Sequence, residues 1–149
     1  MQPRLNYREI APEGFKAMAG LEQYLATSSI DKKLLTLIKL RASQINGCAY
    51  CIDMHSKDAR RGGETEQRLY CLSAWRECPF YTDRERAAFE WTEAVTLVID
   101  GHVPDDVFER VRQHFSDKEL VDLNYAVAAI NAWNRIAIPF RSVPEPQKV

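Results

Sequence analysis

Between Lys32 and Ser43, Leu34, Leu35, Leu37, Ile38 and Leu40 take up most of the circumference of a helix. A helix apolar on so many sides cannot lie on a surface and must be wrapped by other elements or by a second subunit. Asp31 stands where a cap would accept from the first free backbone N–H groups of this helix.

The flanking sequence supplies helices as its neighbours. Ala11-Pro12-Glu13-Gly14 opens one that carries Phe15, Met18, Leu21 and Leu25 at helical spacing up to Thr27-Ser28-Ser29. Asn46-Gly47 breaks the pattern, a helix starts beside Cys48, and Arg61-Gly62-Gly63 stops it. Arg60 and Arg61 suit its C-terminal end, where the helix dipole favours positive charge. A further helix is expected from about Glu64 to Trp75, with Leu69 and Leu72 inward, before the loop Cys78–Asp83. Thr82 or Asp83 would cap a helix bearing Ala87, Trp91, Ala94 and Val98, and Pro104 suits the first turn of a short helix through Phe115. Ser116 with Glu119 three residues on reads as a capping box for a last long helix lined by Leu120, Leu123, Val127 and Ile130. The tail 142–149, with two prolines, should be extended or loose. No stretch alternates β-branched residues long enough for a strand. The expected fold is all-α, six or seven helices in a single domain over 1–149, with a core motif at 32–62.

Composition excludes several functions. A formal charge of −1 gives no pull toward nucleic acid, and no 18-residue apolar run is present to span a membrane. The first residues lack the apolar stretch of a signal peptide, so the expected location is cytoplasmic. Thiols are kept reduced there, which argues against a static disulfide frame among the four cysteines. Cys71 and Cys78 read as structural thiols, and His102 and His114 receive no role.

Chemistry concentrates in Cys48-Ala49-Tyr50-Cys51-Ile52-Asp53-Met54-His55. Residues three, four and seven apart share a helix face, so Cys48, Cys51 and His55 belong together. The thiolate is the reactive form, and a helix start, a second thiol and an imidazole each favour it. By helix position alone Cys48 would be the more acidic thiol. A neighbouring Cys can trap a sulfenic acid as a disulfide. Zinc would need a fourth ligand at knuckle spacing, and a thioredoxin-type site would need a preceding strand. No metal and no cofactor are assigned.

The run from Leu40 to His55 resembles the core motif of the AhpD-like alkylhydroperoxidases, within the carboxymuconolactone decarboxylase superfamily. The resemblance continues through Arg84–Ala88, Glu93–Thr96, Glu119–Val121 and Ile130–Arg135. It implies a helical protomer assembled as a homo-oligomer (dimer, trimer or hexamer). It also implies reduction of a hydroperoxide by Cys51, resolution by Cys48, and a proton relay through His55. A thiol or lipoyl-bearing donor would restore the dithiol. Two positions depart from the best-known peroxidases. Thr36 stands where a relay Glu is expected, and Tyr50 replaces a His between the cysteines. Tyr50 is a candidate pocket residue, and Glu93 a candidate substitute for the missing carboxylate. The resemblance leaves two other activities open, a lactone-acid decarboxylase and a dithiol redox sensor without turnover.

Overall fold

The computed structural model describes residues 1–146. Within them the chain is all-helical, with α1 (Tyr7–Ile10), α2 (Pro12–Ala26), α3 (Lys32–Asn46), α4 (Ala49–Arg61) and α5 (Glu66–Cys71) in the first half. A 3₁₀ segment, Leu72–Glu77, follows, and then α6 (Asp83–Thr96), α7 (Val98–Gly101), α8 (Asp105–Val111) and α9 (Asp117–Phe140).

Helix α3 is the axis of the molecule. It packs against α4, α6, α9 and the 3₁₀ segment, and Leu34, Leu35, Leu37, Ile38 and Leu40 are all buried. Its start is held by the Asp31 carboxylate, which accepts from the N–H groups of Lys33 and Leu34 at 2.9 and 3.1 Å. Its end is set by Gly47, whose φ of 67° is the left-handed conformation that glycine adopts without a Cβ penalty. Helix α9 lies along α3 and also touches α2, α4 and α6. Leu120, Leu123, Val127 and Ile130 all point into the core. Both capping boxes form, Thr82 with Glu85 and Ser116 with Glu119.

The architecture is the expected one, and the helix count differs. Two single turns, α1 and α7, are too short for their periodicity to register in the sequence. The segment from Glu64 to Trp75 also divides. After Cys71 the backbone tightens to 3₁₀ geometry, in which residues three apart eclipse. The backbone also kinks at Ala74, and Leu72 and Trp75 on either side of the kink are both buried. Pro104 sits one place earlier than expected, as the residue before α8, because its extended ψ of 149° ends the preceding loop. Residues Ser142 to Pro146 carry no regular secondary structure. The rest of the tail expected to be loose, 147–149, lies outside the described residues. No helix among the described residues is long and apolar enough to cross a membrane.

Candidate active site

The dithiol stands where three helices meet. Cys48 precedes α4 as its N-cap, and Cys51 sits in its first turn. Together with Ala42 of α3 and Ile130 and Ala137 of α9 they form a small apolar cluster, with Tyr50 and Trp133 against it. Both cysteines are nearly inaccessible, at 1% and 2% exposure. They are joined as a disulfide, with their Cα atoms 5.3 Å apart.

A polar clamp, buried at Ser43 and Asn134 and half-buried at Asn46 and Asn131, fixes this junction. The Asn46 amide donates to the side-chain oxygens of Asn131 and Asn134, each at 2.9 Å. Asn134 in turn donates to Ser43 Oγ at 3.1 Å, and Ser43 donates to the Lys39 carbonyl at 2.7 Å. Asn131 also reaches Thr96 Oγ1 at 3.0 Å. These side chains tie the Gly47 turn of α3 to α9 and so orient the start of α4. The Cys48 N–H completes the turn by donating to the Ser43 carbonyl at 3.0 Å.

One side of this junction opens into a cavity of about 370 Å³. Cys51, His55, Tyr50 and Met54 of α4 line it, and Cys48 does not. Opposite them stand Phe15 and Glu22 of α2, Lys39 of α3 and Trp133 of α9, with Tyr7 and Arg8 of α1 at the edge. The rings pack on one another: Phe15 lies edge-on to Trp133 at 5.7 Å, and Tyr7 is 5.8 Å from Phe140. The strap that carries Tyr7 is anchored by Arg4. Its backbone N–H and guanidinium donate to the carbonyls of Phe140 and Pro139, both at 3.0 Å. Carbonyls in the last turn of a helix have no partner within it, so α9 offers them to the strap.

His55 is buried, and its Nε2 has no hydrogen-bond partner in the protein. Burial, followed by the positive charge of Lys39, pushes its pKa down to about 4. The imidazole is therefore neutral near pH 7 in the disulfide form. A thiolate on Cys51, one turn away, would favour its protonated form again. Lys39 Nζ is in an ion pair with Glu22, whose other oxygen accepts from Trp133 Nε1 at 3.1 Å.

Glu93 is held elsewhere. It lies outside the cavity, and its carboxylate accepts from Arg41 and Trp75 at 2.8 Å and from Arg76. Burial works to raise its pKa, but these three donors outweigh it and hold the carboxyl below the usual range. Thr36 faces a different hollow, beside Lys32 and Gly62, and its hydroxyl donates to the Lys32 carbonyl at 2.9 Å. Two carboxylates line the dithiol cavity instead, Glu22, which pairs with Lys39, and Asp58, which pairs with Arg61, and neither stands out in the sequence motif. A signal existed: Glu22 is seven residues after Phe15 and four after Met18, so it is a charge on the apolar face of α2. Arg8 carried no comparable signal. Cys71 is half-buried and Cys78 buried, both free, and Cys78 donates to the Ala74 carbonyl at 3.4 Å. No group of metal-ligating side chains occurs among the described residues.

A helical bundle that presents a C-x-x-C pair at a helix start, beneath a mainly apolar cavity, defines a class. The chain belongs to the carboxymuconolactone decarboxylase family, whose model matches residues 12–94. Its fold is AhpD-like. Among solved structures it resembles ATU0492 of Agrobacterium tumefaciens, a protein of unknown function carried under the provisional name antioxidant defence protein AhpD. That chain is 49% identical, with a TM-score of 0.95 over 98% of this chain and 100% of the other. A peroxidase-related protein with an alkylhydroperoxidase AhpD core from Ralstonia eutropha shares the fold at 21% identity, with a TM-score of 0.82 over 93% of this chain and 74% of its own. The uncharacterized protein YdfG of Bacillus subtilis is 53% identical over 93% of this chain and 94% of its own length.

Proposed function

We propose that the protein reduces organic hydroperoxides with the Cys48–Cys51 dithiol. The observation that carries this reading is the asymmetry of the pair: Cys51 lines the cavity beside His55, and Cys48 sits behind it. That asymmetry supports Cys51 as the attacking thiol, although the position of Cys48 at the helix cap favours the opposite order. The effect of a helix end on a thiol is modest, and access to the peroxide decides.

In the cycle, Cys51 passes its proton to His55 and attacks the outer oxygen of R–O–O–H. The O–O bond breaks, leaving Cys51–S–OH and an alkoxide, which takes the proton from His55 and departs as ROH. The Cys48 thiol attacks the Cys51 sulfur, the S–O bond breaks, and water leaves as the disulfide forms. The peroxide gains two electrons and the dithiol loses them. A thiol or lipoyl-bearing donor then returns two electrons and two protons. Lys39 supplies positive charge for both the thiolate and the departing alkoxide, and Glu22 positions Lys39. Tyr50 contributes to the cavity wall, and Glu93 stabilises the fold. The need for re-reduction suits a reducing compartment, the cytoplasm. The reading extends to a homo-oligomer, supported by apolar side chains left exposed on α8 and α9.

Mass spectrometry after stoichiometric cumene hydroperoxide, followed by steady-state consumption with dithiothreitol, tests it. Reduced protein should form the Cys48–Cys51 disulfide and then turn over. Cys51→Ser should consume nothing above the dithiothreitol background, and Cys48→Ser, reduced and then freed of dithiothreitol, should stop after one equivalent with a sulfenic acid on Cys51. Full activity in Cys51→Ser would sink the mechanism. Disulfide formation without steady turnover would instead favour a redox sensor, a reading to which Thr36 in the relay position lends weight. Activity of the double Cys→Ser variant on γ-carboxymuconolactone would favour a decarboxylase.

A further inference from the structure

The cavity is far larger than its chemistry requires. About 370 Å³ would hold many times the roughly 30 Å³ that a water-sized molecule takes up in the liquid, and it falls in the range of sites for small organic ligands. Its walls are rings and aliphatic groups: Tyr7, Phe15, Tyr50, Met54, Ile130 and Trp133. The charged groups along it are mostly matched. Lys39 faces Glu22, and Asp58 accepts from Arg61 at 2.8 Å. Arg8 is different. Its guanidinium sits 5.1 Å from the Phe15 ring centroid and 5.9 Å from that of Tyr7, and donates to Tyr50 Oη at 3.4 Å. None of the ion pairs among the described residues includes it. With the Arg4 bonds holding the strap on α9, this cation is fixed at the mouth, touching the tyrosine next to Cys51.

We propose that Arg8 reads an anionic group on the substrate, so that the preferred hydroperoxides have an aromatic or compact apolar body and carry a carboxylate. This rests on the peroxidase reading above and names the substrate class of that site. The apolar body stacks among Phe15, Tyr7 and Trp133, the peroxide end meets Cys51, and the carboxylate stays at the wet edge on Arg8. A guanidinium pairs with a carboxylate through two parallel N–H···O bonds, which fixes orientation as well as affinity.

Two peroxides with one skeleton test the proposal: cumene hydroperoxide and its para-carboxylate. The wild-type protein should show a kcat/KM about tenfold higher for the carboxylate, as expected for one charge-assisted contact. Most of that difference should sit in KM. Arg8→Gln should bring the ratio of the two close to one, and Arg8→Lys should keep part of it. Because Arg8 is exposed, rising salt should also compress the wild-type ratio. A wild-type ratio near one, or a ratio unchanged in Arg8→Gln, overturns the proposal. If neither peroxide is turned over, the peroxidase reading fails by itself, and binding of the unreactive 4-isopropylbenzoate against 4-isopropylbenzamide decides the role of Arg8. Calorimetry should then show the acid about tenfold tighter, and that preference should disappear in Arg8→Gln. Equal affinities would rule the anion site out.

Discussion

His55 is a buried imidazole that the fold keeps neutral, and this has a measurable cost in acid. Its folded pKa, about 4, lies below the ordinary value of 6.5. The unfolded chain therefore binds more protons between those two values. The stability from neutral His55 is complete above about pH 6.5 and is lost as pH falls toward 4. For the oxidised protein, urea unfolding at pH 7 and pH 5 should differ by about 2 kcal/mol through this group alone. His55→Gln should remove that increment from the pH dependence, and an identical pH dependence in both proteins would refute it. Lys39 acts on the same spot through its charge. Lys39→Met should raise the pH at which reduced Cys51 is alkylated and slow its reaction with peroxide at pH 7 by about tenfold, the effect of one pKa unit. An unshifted alkylation profile would mean that Lys39 serves only its ion pair with Glu22.

At the level of elements, the dithiol depends on how α3 meets α9. The Asn46, Asn131 and Asn134 amides make that joint polar, and Ser43 closes it. Glu93 does similar work on the other side of α3, joining α6 to Arg41 and to Trp75 of the 3₁₀ segment. Removing one partner from a largely buried ionic cluster leaves the others without compensation. Glu93→Ala should cost about 3 kcal/mol in chemical unfolding and move the thermal midpoint down by several degrees. The alkylation rate of Cys51 in the folded variant should stay near that of the wild type. A stable protein with an inactive thiol would instead return Glu93 to the relay. Four helix boundaries were readable because caps and glycines act locally: Asp31, Gly47, Thr82 and Ser116 stand as expected, whereas α8 begins one place after Pro104 and ends at Val111, short of Phe115. The 3₁₀ turn after Cys71 was not readable. There Leu72 and Trp75 are buried, with the segment against α3 and Trp75 against Phe89 and Glu93 of α6, partners distant in sequence.

For the whole molecule, one face is still uncovered. Phe108, Val121 and Tyr125 are exposed at 39%, 51% and 47% and border a shallow hollow with Trp91 and Leu120. Apolar surface of this kind on a small protein commonly marks an interface. Light scattering should find a dimer or larger assembly at micromolar concentration, and Tyr125→Glu should reduce its mass. A monomeric wild type would end the proposal of a homo-oligomer.

The sequence alone determined the helical class, the order of the long helices, and the placing of Cys48, Cys51 and His55 at and just beyond the start of one helix. Each follows from spacing within about seven residues, where backbone geometry leaves little choice. Only the tertiary structure decided which thiol meets the cavity, and that Glu22 and Arg8 line it too. Glu22 and Arg8 come from helices 26 or more residues before Cys48. Their place beside the dithiol is set by how α1, α2 and α9 pack. Local pattern does not encode that packing, because side chains distant in sequence become neighbours only when the buried faces of separate helices are brought together.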